Sequence, residues 1–187
     1  MQIGFTKWIN KSGIVKENSL LNDVDLNRQK SFLYFFTKEK IKSIIASQLP
    51  EIKNYDLKIY GFRDVNDKAE KISDAISSSV SIGMGIVTKM FNSVSTVLVL
   101  ASNCLILIDR DFQGNPIHFR SYSIRTLALI ETFKDYQSWD RSVFHFSDGK
   151  IIEFGAPNAM GLGGSPNKKI LNQLGKYGLV FNPSAQK

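Results

Sequence analysis

TVLVLASNCLILID, residues 96–109, consists of two apolar runs of nearly equal length broken by Ser102 and Asn103. Each run is too short for a buried helix and rich in Val, Ile and Leu, and the polar pair between them suits a tight turn. The stretch therefore predicts a β-hairpin. Successive side chains of a strand point to opposite faces, so strands apolar at nearly every position must be covered on both sides. A sheet with packing on two faces follows.

C-terminal to the hairpin, RDFQGNP makes a turn, and strands are predicted over residues 117–122 and 125–133. RSVFHFSDGKIIEFG, residues 141–155, reads as a second hairpin, and its register follows from the apolar pattern. A two-residue turn on Asp148 and Gly149 sets Phe146 opposite Ile151 and Phe144 opposite Glu153, which mixes the faces. A three-residue loop of Ser147, Asp148 and left-handed Gly149 aligns Phe144 with Ile152 and puts Phe146 and Phe154 on the same side. The second register is the expected one. Towards the N-terminus, YDLKIYGFR (residues 55–63) alternates as a strand does. Six strands over residues 95–154 and a seventh at 55–62 make a predominantly antiparallel β domain.

Two helices are predicted before this sheet is complete. Phe32, Phe35, Phe36, Ile41, Ile44, Ile45 and Leu49 recur at three- and four-residue steps over residues 29–49, and Pro50 ends the run. Residues 68–91 carry Ile72, Ile76, Val80, Val87 and Phe91 at steps of four or seven. Ser77, Ser81 and Gly85 lie four apart on that helix, as do Ser79 and Gly83, and such spacing admits close approach of another backbone. This helix is expected to pack across the apolar hairpin. Residues 1–29 are polar and irregular, with a short element around Phe5, Trp8 and Ile9 followed by a loop.

Composition narrows the function classes. The chain of 187 residues is 43% hydrophobic, enough for one principal core, and its formal charge of +7 is scattered instead of gathered in a stripe. A nucleic-acid surface normally shows a denser row of Lys and Arg, so Arg120, Arg125 and Arg141 make only a weak case for one. The single Cys104 excludes an internal disulfide and lies in an apolar run, where an inert thiol is expected. The first residues lack the features of a secretory signal, and residues 80–91 fall short of a membrane span. A cytoplasmic protein is the expectation.

GAPNAMGLGGSPNKK, residues 155–169, is the one phosphate-loop candidate. Ser165 and Pro166 make a good helix start, a helix with Ile170, Leu171 and Leu174 follows, and Gly178 after Tyr177 is a stop. Ser165, Lys168 and Lys169 beside an open helix N-terminus are candidate anion-binding residues. The spacing is wrong for a P-loop and for a dinucleotide fingerprint, so a hinge between strand and helix is the preferred reading. His118 and His145 stand alone, Asp109 and Asp111 read as a solvated acidic turn, and no catalytic motif is present. No catalysis, metal or cofactor is expected.

The segments VLVLASNCLILIDRDFQG and VFHFSDGKIIEFG, with the helix after them, resemble the bacterial pleckstrin-homology-like domains over about the last half of the chain. That family often carries a basic residue just before the Leu of the second strand, where this chain has Cys104. The resemblance implies an α+β fold: an antiparallel barrel or bent sandwich, a C-terminal capping helix, an inserted helix and an N-terminal helical segment. Residues 1–53 then form the helical segment, 54–180 the domain with an insertion at 64–92, and 181–187 a tail. It also implies a scaffold that binds lipid headgroups, peptides or copies of itself. Binding of a protein partner, or self-association, is the leading expectation. The alternative is an anionic membrane surface, met through Lys68, Lys71 and Lys89 with Ile82, Ile86 and Met90 inserted.

Overall fold

The computed structural model describes residues 3–26, 37–64, 93–111, 113–134, 139–157 and 164–183. Its centre is the predicted hairpin, β4 (Ser93–Ala101) and β5 (Cys104–Arg110), closed by a two-residue turn in which Ser102 takes a positive φ of 52°. The two faces of this hairpin enter different cores. Val97, Val99, Ala101, Ile106 and Ile108 pack with Phe119 under Ile41 and Ile45 of helix α1 (Lys38–Gln48). Leu98, Leu100, Leu105 and Leu107 face Phe144, Phe154, Ile170 and Leu174 in the larger cluster. Cover on both faces is what an uninterrupted apolar run requires. Among the described residues the outer cover is α1, not the helix expected at 68–91, which lies outside them. Thr37 caps α1 by accepting from the Lys40 N–H at 3.3 Å, and the chain leaves the helix at Leu49.

The remaining elements are β1 (Ile3–Asn10), β2 (Leu20–Asp25), β3 (Leu57–Asp64), β6 (Pro116–Ser123), β7 (Leu127–Lys134), β8 (Trp139–Phe146), β9 (Ile151–Pro157), α2 (Pro166–Lys176) and β10 (Phe181–Pro183). Among the described residues ten strands form one antiparallel sheet in the order β10-β1-β7-β8-β9-β3-β4-β5-β6-β2. The β8–β9 pair has Phe144 opposite Ile152, and Gly149 has φ 86°, so the three-residue loop sets the register as predicted.

This architecture overturns the α+β barrel or bent sandwich with an N-terminal helical segment. The sheet is open, with β10 and β2 at its edges, and only α1 and α2 are α-helices among the described residues. Residues 1–53 are not a helical segment, because β1 and β2 are strands of the same sheet and α1 follows them. Phe181–Pro183, read as the start of a tail, pairs with β1. The predicted helix over 29–49 is described from Lys38 onward.

β6 and β7 are consecutive in sequence yet far apart in strand order, joined by a 3₁₀ turn at Ile124–Thr126. The sheet therefore coils over its inner core. Tyr122 of β6 stacks on Phe146 of β8 with ring centroids 5.4 Å apart, and the Ile124 N–H reaches the Asn103 carbonyl at 2.8 Å. α2 sits in this coil, burying Ile170 and Leu174. Gly61 permits the closest approach of strands, since a Cβ there would lie 2.2 Å from the Gly155 carbonyl oxygen.

Candidate functional site

The N-terminus of α2 answers the question raised by the glycine-rich stretch. Four N–H groups at a helix start lack partners within the helix and need others. Pro166 has none to satisfy. The Asn167 N–H donates to the Asp140 carboxylate at 3.1 Å, the Lys168 N–H to Ser165 Oγ at 3.4 Å, and the Lys169 N–H to the Ser165 carbonyl at 3.0 Å. The Ser165 hydroxyl itself donates to Asp140. Asp140 is 1% exposed, so its carboxylate occupies the place an external anion would take. Asn167 is held further by Ser142, whose hydroxyl donates to it at 2.6 Å. The helix end keeps no backbone donor for a phosphate.

Beside this closed terminus lies an open groove of about 560 Å³. Trp8 of β1, Leu171 of α2, and Leu179, Val180 and Phe181 leading into β10 give it an apolar floor and wall. Ser165, Asn167, Lys168 and Asn172 give it a polar rim, and Gly175 leaves the helix side open. Local sequence explains the shape. α2 turns Ile170 and Leu174 inward, which leaves Leu171 on its flank, and β10 brings Phe181 to the sheet edge beside it. Val180 remains 55% exposed. The Trp8 indole N–H is buried with no acceptor among the described residues. Among the described residues the lining holds one cation and no carboxylate. Lys168, Lys169 and Lys176 of α2 form no ion pair among the described residues.

The densest charge cluster is of a different kind. Asp109, on β5, accepts from Arg63 at 2.8 Å, Arg120 at 2.9 Å and Thr96 Oγ at 2.6 Å. Arg120 continues to Asp23 at 3.4 Å, and His118 lies between Asp23 and Asp25. Burial pushes the Asp109 carboxyl up. The Arg63 charge and hydrogen bonds, then Arg120 and Thr96, outweigh that and hold it below its ordinary range. Arg63 and Arg120 answer Asp109, and Arg120 also reaches Asp23, so the cluster is an internal tie between β3, β5, β6 and β2. Asp111, the other half of the acidic turn, accepts from the Gln113 and Asn115 N–H groups. Among the described residues no three His, Cys, Asp or Glu side chains are placed to hold a metal ion.

The other residues singled out from the sequence scatter. Lys68, Lys71 and Lys89 lie outside the described residues. Arg141 is 7% exposed, beside Gly155 and 3.7 Å from Glu153, so with Arg120 it belongs to the interior and not to a basic surface stripe. His145 meets Glu131 at 3.0 Å. Burial raises the Cys104 thiol, as its apolar setting implied. Lys168 lines the groove and Ser165 stands at its rim, whereas Lys169 is half-buried and does not line it. Sequence reasoning missed Leu179, Val180 and Phe181. Their signal was present in the short apolar run after Gly178, and its significance depends on pairing with a strand about 170 residues earlier.

In comparisons with family models, with curated proteins and with solved structures, nothing matches this chain, which neither supports nor counts against the resemblance noted in its sequence.

Proposed function

We propose that this chain is a non-enzymatic interaction module and that it takes a segment of a partner protein in the groove between α2, β1 and β10. The groove itself carries this reading. An apolar concavity with a few convergent polar groups is the usual form of a binding site, and this one sits at a sheet edge where strand and helix meet. A concave surface receives a side chain that protrudes from its partner. A lipid surface is met instead by side chains that protrude from the protein. Among the described residues no helix is long and apolar enough to cross a membrane. A second copy of this chain is one form the partner can take.

The test is a random dodecapeptide display library panned against the wild-type protein and against Val180→Asp. Val180 is exposed, so the substitution leaves the fold intact while placing a charge in the apolar wall. Burying a Val-sized contact is worth about 1.5–3 kcal/mol, so groove peptides should bind the variant about tenfold more weakly or worse. If the partner is a second copy, the same substitution shifts the mass seen by light scattering towards the monomer. Peptides that bind wild type, Val180→Asp and Leu171→Arg equally would place recognition elsewhere and sink the proposal.

A further inference from the structure

The groove has a charge character as well as a shape. We infer, resting on the groove as the binding site, that its occupant is an acidic segment: an apolar anchor side chain with Asp or Glu beside it. Among the described residues the lining presents one cation, the Lys168 ammonium, and the Asn172 amide, and it includes no carboxylate; the Ser165 hydroxyl is already given to Asp140, and the Asn167 amide is held by the Phe133 carbonyl and the Ser142 hydroxyl. The two further cations of α2, Lys169 and Lys176, lie on the same helix and are answered by no acid among the described residues. The nearest carboxylate, Asp140, is buried behind the helix start and fully engaged on one oxygen by Ser165 and Asn167, so it does not supply the missing surface charge. A buried indole N–H at Trp8 adds a donor that the described fold leaves without an acceptor. Among the described residues the one charge of the lining is therefore positive and unanswered, which favours negative charge in the occupant, and the net charge of +7 draws an acidic partner from a distance.

The apolar anchor supplies burial and the acid supplies choice. An exposed ion pair contributes at most about 1 kcal/mol, which is about a fivefold preference for an acidic over a neutral segment at low salt. That preference should fade as ionic strength rises.

The experiment extends the library selection to Lys168→Glu. Among peptides that depend on Val180, wild type should enrich Asp and Glu next to the anchor. Lys168→Glu should enrich Lys and Arg at those positions, and Lys168→Gln should lose the preference while keeping the anchor. Val180-dependent peptides that are neutral, with composition unchanged by Lys168→Glu, would overturn the acidic occupant and leave the groove reading standing. An absence of Val180-dependent peptides would overturn both. Phosphatidylserine-rich vesicles are the second probe. Their binding to wild type, lost in Lys168→Glu while no acidic peptide is selected, would assign the site to a lipid surface and overturn the inference.

Discussion

Replacing Asp109 by Asn tests whether the buried charge cluster ties the inner face of the sheet together. The carboxylate accepts from Arg63 Nη2 at 2.8 Å, Arg120 Nη1 at 2.9 Å and Thr96 Oγ at 2.6 Å, and is 3% exposed. Asn keeps the size and one acceptor, but removes the charge and sets an NH₂ group among guanidinium donors. Hydrogen bonds to charged groups contribute about 1.5–3 kcal/mol each, and Arg120 recovers part of its loss through Asp23 at 3.4 Å. The expected cost is about 3–5 kcal/mol, the range for breaking a buried ion pair from one side. That is a large fraction of a total stability of about 5–15 kcal/mol. Urea unfolding followed by circular dichroism measures it, with Asp25→Asn as control. Asp25 is 92% exposed, and its substitution should cost under about 0.5 kcal/mol. The pH dependence adds a second readout. The folded Asp109 carboxyl lies below its ordinary value of 3.8, so its contribution is complete above that pH. It is lost as pH falls through the lower folded value, and Asp109→Asn should flatten the acid limb there. A loss under about 1 kcal/mol, or acid limbs that run parallel, would refute the role given to this cluster.

Gly61→Ala should destabilise by about 3 kcal/mol or more, because its Cβ would meet the Gly155 carbonyl oxygen at 2.2 Å and Phe154 Cζ at 2.6 Å and the backbone cannot yield; thermal unfolding reads this directly. Leu174→Ala, at a fully buried position of α2, should cost about 2–5 kcal/mol by the same assay. Burial pushes the Tyr122 hydroxyl up to about 12, and burial with the Asp56 hydrogen bond raises Tyr177 as well. Both folded values lie above the ordinary 10.0, so stability is full below that pH and declines as pH rises through the raised values; Tyr177→Phe should reduce the decline in an alkaline unfolding series. Cys104 should react with iodoacetamide more slowly in the folded protein than in urea, as mass spectrometry would show, because its raised thiol leaves little thiolate at neutral pH.

The sequence by itself determined six strands over residues 95–154, the register of the β8–β9 hairpin and the cap of α2. Each depends on neighbours in the chain: unbroken apolar runs, a glycine free to take positive φ, and a Ser-Pro pair at a helix start. It also pointed to Lys168 and Ser165, though for an anion site that the backbone of α2 has no donors left to make. Only the tertiary structure decided that Leu20–Asp25 is a strand. LLNDVD reads as a polar loop until it pairs with β6, where Val24 lies opposite Phe119 and Asp25 opposite His118. Only the tertiary structure made the groove, by bringing Trp8 and Phe181 to the same edge beside α2. Local periodicity is a property of a few consecutive residues, whereas an edge strand held by a distant neighbour and a concavity between distant segments come from pairings that the neighbouring residues do not encode.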